Sequence, residues 1–325
     1  MKNLTISLLL YKSEKYIPRL ISCLMNQTDK NFEILIINNA SPDNSVDLAI
    51  EILEKNNFHD YKVVKIDKNT GCGQGRVAGY RNATYDYVKF LDSDDLLIDT
   101  YVEKINKEIL KNKPDLINYG HIVIDEDGNE IRRIPVAKNK TISKYTLTMF
   151  WRYCFRKELA IQQEIDTSGM HYAEDRIFSL NLIPAINNIS ILDDYLYKYT
   201  RRTNSTTQNV QPEVFFDSNK TVMELYKNLL CSTKEIESRN VLFYQIIKFY
   251  VTSLILPSKV NRVTFNSYLN MYEKIYFETI NSNRYKKLLI IPKKGLNKET
   301  LVIQLAYLFL VFKQKWLFTL AFRRY

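Results

Sequence analysis

Tyr87-Val88-Lys89-Phe90-Leu91-Asp92-Ser93-Asp94-Asp95 (residues 87–95) joins an apolar run to three carboxylates. The run reads as a strand, and the acids fall where it ends. Three like charges in one turn repel each other, and a bound divalent cation offsets that repulsion. Hard carboxylate oxygens suit Mg²⁺ or Mn²⁺, which complete their shell with water and diphosphate oxygens. The plainer alternative is a solvated acidic turn capping the next helix.

Working outward from this stretch, apolar runs recur at 4–10, 33–37 and 61–66, separated by segments with helical spacing. Such alternation predicts βαβ units around a mainly parallel sheet, an α/β class of fold. The first helix gathers Tyr16, Ile17, Leu20, Ile21, Leu24 and Met25 on one face, with Pro18 near its start where a missing N–H is tolerated. The second follows the capping residues Asp43-Asn44-Ser45 and runs from Val46 to Leu53. Ligands of open parallel sheets sit at the carboxyl ends of strands. Tyr11-Lys12, Asn38-Asn39 and Asp92 to Asp95 all fall at such ends, so a nucleotide site is expected there.

Downstream, the pattern predicts a helix over 99–111, a strand at 115–119 ending near Gly120, and a hairpin over 121–134 around Asp127-Gly128. Residues 141–187 read as mainly helical, 189–199 as short strands, and 213–280 as helical and rich in Tyr, Phe and Leu. The length of 325 residues exceeds the roughly 250–300 at which one core stops growing, so a large domain with a smaller appendage is expected. Composition is that of a globular protein, with 46% hydrophobic and 25% charged residues and little Gly or Pro for linkers. The four cysteines form no C-x-x-C, which argues against a zinc site or a disulfide framework and fits a reducing cytosol. The apolar start, Leu4 to Leu10, is cut off by Tyr11-Lys12-Ser13-Glu14 and reads as a strand, not a signal peptide.

Residues 3 to about 95 resemble the nucleotide-binding half of the inverting family 2 glycosyltransferases with the GT-A fold, a Rossmann-like, mainly parallel sheet flanked by helices. The resemblance lies in Ile6 to Tyr16, in Asn26-Gln27-Thr28 with Phe32-Glu33-Ile34, and in Asn38-Asn39-Ala40-Ser41-Pro42-Asp43-Asn44-Ser45. It continues through Asn69, Gly71, Arg76, Ala78 and Gly79 to the D-x-D of Phe90 to Asp95, and the order and spacing carry it. It implies a transferase of the hexosyl or N-acetylhexosaminyl class, inverting and metal-dependent, using a nucleotide diphosphate sugar with UDP as first choice. Leu10 and Tyr11 would pack on the base, Asn39 would hydrogen-bond it, and Asp92 with Ser93 would meet the nucleoside. Asp94 and Asp95 would bind Mn²⁺ or Mg²⁺, and Arg76 would face the diphosphate. This chain departs from the family in having Asn38-Asn39 for an Asp-Asp pair and Leu9 for a Pro, which leaves the base open.

A second cluster, Tyr172-Ala173-Glu174-Asp175-Arg176, opens a helical pattern and is similar to the family's E-D motif, with Asp175 as the implied base and Glu174 as the fallback. Without the resemblance it would read as a helix first turn whose acids suit the dipole. Tyr199-Thr200-Arg201-Arg202-Thr203-Asn204-Ser205 is similar to the Tyr, Arg and Ser pattern that comes next in these enzymes. Arg201 or Arg202 could neutralise the leaving diphosphate; a solvated turn is the even alternative. Gly71-Cys72-Gly73-Gln74-Gly75 comes after the third strand with the wrong spacing for a dinucleotide fingerprint and reads as a flexible loop over the donor. The histidines lack metal-ligand spacing, though His171 lies near enough to Asp175 to touch an acceptor.

The net charge of +10 is concentrated: residues 284–325 hold ten Lys and Arg against Glu299 alone, leaving the rest near neutral. A near-neutral body with no recognition motif argues against nucleic acid. The tail's apolar run, Leu301 to Phe312, is short of the roughly 20 residues of a transmembrane helix. It suits an in-plane helix at an anionic membrane, or equally a helix packed on the body or on a second copy in a homo-oligomer. The expected organisation is a GT-A domain over 1–210 and a helical region over 211–325. The expected enzyme is peripheral at the inner face of the cytoplasmic membrane and extends a surface polysaccharide or glycoconjugate; a lipid-linked glycan or a glycoprotein would serve as acceptor. The alternative is a non-catalytic subunit of the same fold that binds a glycan or a partner transferase.

Overall fold

A computed structural model describes residues 2–69, 71–168, 170, 172–202 and 212–255. The chain divides into two units, Met1–Asn209 and Val210–Tyr325. In the first, β1 (Leu4–Leu10), α1 (Ile17–Met25), β2 (Phe32–Asn38), α2 (Ser45–Lys55), β3 (Tyr61–Lys65), α3 (Gly71–Asn82) and β4 (Tyr87–Asp92) alternate as the apolar runs predict. Then come β5 (Leu96–Leu97), α4 (Tyr101–Asn112), β6 (Leu116–Ile124), β7 (Glu130–Ile134), α5 (Lys140–Tyr145), β8 (Tyr153–Arg156), α6 (Lys157–Gln162), α7 (Glu174–Leu182) and β9 (Ile189–Thr200). The second unit contributes α8 (Pro212–Ser232) and α9 (Ile236–Ile255). Among the described residues no helix is long and apolar enough to cross a membrane. The tail expected to meet a membrane, a second copy or the body lies outside the described residues.

The strands form one sheet in the order β3-β2-β1-β4-β8-β6-β9-β5, with β7 hydrogen-bonded to β6. β3, β2, β1 and β4 run parallel; β8 is antiparallel to both β4 and β6, and β9 runs parallel to β6. β1 is apolar throughout except for Thr5 and Ser7 because helices cover both faces of a parallel sheet. At the centre, Phe90 of β4 meets the rings of Phe150, Phe155 and Phe178 at 5.5, 5.5 and 5.6 Å, tying the parallel strands to β8 and α7.

Several expectations are corrected. Gly71 to Gly75 is no loop: it forms the first turns of α3. A Cβ on Gly73 would stand 2.0 Å from the Thr167 carbonyl oxygen, and one on Gly75 2.2 Å from Leu9. These glycines let the helix lie close against the sheet, at some cost in helix propensity. The region 141–187 is mainly helical as expected, but it also supplies β8, a four-residue strand wedged between β4 and β6. So short a run carries no periodicity of its own, and its pairing is decided by distant partners. β6 passes through Gly120 instead of ending there, where a Cβ would meet the Ile134 carbonyl oxygen at 2.9 Å. The short strands expected over 189–199 are one strand, β9, of 12 residues.

Candidate active site

The turn after β1 is built by cross-links. Lys12 adopts φ 51°, and its N–H donates to Ser41 Oγ at 2.8 Å, while the Ser13 N–H donates to Ser45 Oγ at 2.9 Å. Ser13 Oγ also donates to Ser93 Oγ at 2.9 Å, joining the end of β1 to the acidic turn after β4. Leu10 is buried and Tyr11 stands 37% exposed on the rim. Asn39 is 2% exposed: its Nδ2 donates to Asn69 Oδ1 at 3.0 Å and to the Gly71 carbonyl at 3.2 Å, and its Oδ1 has no partner. A buried acceptor left open is costly, so this oxygen is the atom of Asn39 free to receive a ligand N–H.

The three acids take three different positions. Asp92 pairs with Arg76. The resemblance implied that Arg76 faces the diphosphate; instead it is 3% exposed, with its guanidinium over the rings of Phe150 at 4.2 Å and Phe90 at 5.4 Å. It supports Asp92 from beneath. Asp95, expected to share the metal, is 1% exposed and has both oxygens engaged: Tyr197 Oη donates to one at 2.6 Å and the Thr200 N–H to the other at 2.7 Å. It fastens β9 to the end of β4. Asp94 forms an ion pair with Arg202 Nε at 2.6 Å, and burial, then Asp92, raises its pKa against the pull of Arg202.

Arg202 donates to Tyr16 Oη at 3.2 Å and lies over the same ring, so Tyr16 aims the arginine at Asp94. The sequence placed Tyr16 on a helix face and in the stretch from Ile6 that resembles the family, without giving it a role toward Asp94; its place just after the β1 turn was the available signal. Arg201 is exposed and engages β6 through its backbone, donating to the Ile124 carbonyl at 2.8 Å.

α7 begins after Ala173, whose φ of 58° is left-handed and turns Glu174 and Asp175 into its first turn. Burial first, and Glu174 beside it, push the Asp175 carboxyl up to about 7 against the pull of Arg176, with Asp92 adding to the rise. The E-D pair and the acidic turn after β4, some 80 residues apart in sequence, thus share one electrostatic neighbourhood. His171 lies outside the described residues. Among the described residues no cluster of three or more His, Cys, Asp or Glu could hold a metal unaided.

Behind Asp95, Tyr197 belongs to an aromatic stack that was not foreseen. Trp151 stacks on Tyr197 and Tyr199 at 5.0 and 5.1 Å, and His121 meets it edge-on at 4.8 Å. The alternation of Tyr197 and Tyr199 along β9 was the signal for one face of a strand, whereas a bulge pairs Tyr195 with Gly120 and turns it to the other face.

Against known proteins, the pattern described as "Glycosyl transferase family 2" matches residues 5–172. The chain is 30% identical over 229 residues to a poly(ribitol-phosphate) beta-N-acetylglucosaminyltransferase, TarS, of Staphylococcus aureus (strain Mu50), across 64% of this chain and 37% of that one. It is 25% identical to an uncharacterized glycosyltransferase, EpsJ, of Bacillus subtilis across 61% of each. The chain therefore spans only about a third to two thirds of these relatives' length. Among solved structures, S. aureus TarS residues 1–349 in complex with UDP-GlcNAc superposes with a TM-score of 0.56 at 18% identity, covering 92% of this chain and 97% of that one. A mannosyltransferase, PcManGT, of Pyrobaculum calidifontis in complex with GDP-Man and Mn²⁺ superposes with a TM-score of 0.54 at 10% identity, covering 88% of each. These likenesses establish the GT-A fold.

Proposed function

Because the chain belongs to glycosyl transferase family 2, we propose that it transfers a sugar from a nucleotide diphosphate sugar to a hydroxyl of a growing surface glycan, inverting the anomeric configuration. A UDP-linked hexose or N-acetylhexosamine is the favoured donor, since the TarS relative is named for N-acetylglucosaminyl transfer and its solved complex holds UDP-GlcNAc. The Asn39 Oδ1 without a partner supports this by offering an acceptor to a pyrimidine N–H.

The observation that carries the reading is Asp175, a carboxyl brought to about 7 beside the acidic turn. A general base works best with a pKa near the operating pH. Asp175 takes the proton of the acceptor hydroxyl as its oxygen bonds to the anomeric carbon, the bond to the diphosphate breaks on the opposite face, and Arg202 neutralises the departing anion. Mg²⁺ and Mn²⁺ in such sites rest on one or two carboxylates plus substrate phosphates. Asp94, a hard oxygen donor at the strand end, fits that role, and the ion when bound would supply positive charge against the diphosphate.

The deciding experiment is nucleotide diphosphate release from UDP, dTDP and GDP sugars with Mn²⁺, Mg²⁺ or chelator. Release from one donor class that needs metal and is lost in Asp94→Ala is expected. Release indifferent to chelator, or to Asp94→Ala, overturns the metal assignment; a donor-loaded enzyme that forms a product of retained configuration overturns inversion. The tail's basic and aromatic sequence supports a peripheral position on an anionic membrane, which flotation with anionic and neutral vesicles would check.

A further inference from the structure

Across the sheet, Tyr197 of β9, His121 of β6 and Ile134 of β7 lie in register, and one pleat on Tyr199, Val123 and Arg132 do the same, so all six share one face. Trp151 packs on this face, and Arg152 is next in the chain. The Arg152 Nε and the His121 Nδ1 are both buried, and neither has a hydrogen-bond partner. Neither Arg152 nor the exposed Arg132 has a carboxylate within ion-pair distance among the described residues. Burial first, then Arg152 and Arg132, hold the His121 pKa down to about 4, so both arginines act on one neutral imidazole.

A half-buried guanidinium with an orphaned N–H and no counter-ion is unfavourable unless something anionic completes it. The neutral imidazole next to it can add a hydrogen bond without adding charge. The Tyr199 ring, stacked on Trp151, also feels Asp95, Asp94 and Asp92, which puts this basic cluster one aromatic layer from the acidic turn.

We propose that Arg152, His121 and Arg132 form a subsite for an anionic group of the acceptor, so that the hydroxyl to be glycosylated belongs to an acidic glycan or polyol chain and not to a neutral one. The inference rests on the transferase reading and assigns the acceptor's chemistry. A phosphodiester or a carboxylate would satisfy the same donors, with the arginine fork and the imidazole N–H shared among its oxygens.

The test uses the full chain with UDP and Mn²⁺ and titrates three oligomers of equal length by calorimetry: a phosphodiester-linked ribitol chain, a hexuronate chain and a neutral hexose chain. At least one anionic oligomer is expected to bind about tenfold or more tightly than the neutral one, and which one does so identifies the anion. Arg152→Gln should abolish that preference and the exposed Arg132→Gln should weaken it severalfold, both leaving UDP affinity unchanged. Arg152→Lys should restore charge but not the fork, and so recover only part. Equal binding of all three chains, or a preference that survives both glutamine variants, overturns the subsite. Absent UDP binding in the wild type is a separate result: it counts against the transferase reading, while the anionic preference and its loss in the variants still decide the subsite. Arg132→Gln lies on an exposed hairpin strand, so its result stands even where Arg152→Gln fails to fold.

Discussion

The two sides of the central sheet are built on different principles. On one side, β3-β2-β1-β4 comes from consecutive βαβ units, and each strand meets neighbours supplied by the same local pattern. On the other, β8-β6-β9 brings together residues 153–156, 116–124 and 189–200 in mixed directions. The first side ends in polar turns that carry the acids and the open Asn39 oxygen. The second presents stacked aromatics and basic side chains. Under the proposed function the first side would hold the nucleotide diphosphate and the second the acceptor, and Asp175 would act where the two meet.

The largest expected effect tests that meeting point. Asp175→Asn should lower turnover by about 10²- to 10⁴-fold while UDP affinity stays within about twofold of wild type. In the wild type the base must be ionised, so kcat/KM should be level above about pH 7 and fall about tenfold per pH unit below it. Loss of UDP binding in Asp175→Asn, or a flat profile down to pH 5, would break the division between the two sides. Next in size, Arg76→Met should cost about 3–5 kcal/mol in urea unfolding, because it strands the Asp92 carboxylate that Arg76 supports. Adding Asp92→Asn should recover a measurable part of that loss. A cost from Arg76→Met below about 1 kcal/mol would mean that Arg76 serves the ligand and not the scaffold.

The same division explains what could be read in advance. β1, β2, β4, α1 and α2 were legible because strands buried on both faces are continuous apolar runs and the turns between them carry capping residues, while β3, a half-exposed edge strand, showed only through Val63, Val64 and Ile66. Asp92, Asp94, Glu174 and Asp175 were legible as clusters with family spacing. β8 was not, because four residues hold no period, and α3 was not, because its glycines argue for a loop until Thr167 and Leu9 are seen packed against them. Burial of Arg76 and engagement of Asp95 depend on residues far along the chain and leave no local trace. Lys89 did leave one, as a charge inside an apolar run. It is fully buried, donates to the Trp151 carbonyl beneath the Tyr197 ring at 4.3 Å, and burial pulls its pKa down to about 7.

Gly75→Ala sharpens the packing side of the comparison. Its Cβ would press on the Leu9 side chain, which can partly give way, so a loss of about 1–3 kcal/mol in urea unfolding is expected. A flexible loop would instead tolerate or gain from alanine.

The smallest expected effect, that of Asp95→Asn, is the most discriminating when it is set against the same change at its neighbour Asp94. Asp95→Asn keeps an oxygen to accept the Thr200 N–H and offers an amide that can donate to Tyr197 Oη, so both bonds can be remade at a cost of about 1 kcal/mol. Donor turnover should then stay within a few fold of wild type. Asp94→Asn, which loses the charge facing Arg202 and the hard oxygen pair, should leave stability almost unchanged but cut metal-dependent release by at least about 100-fold. If the two variants exchanged these outcomes, Asp95 would be the ligand-facing acid and the latch between β4 and β9 would be incidental. If they behaved alike, the acidic turn would act as one charge cluster, and the separation of roles among its three carboxylates would fall.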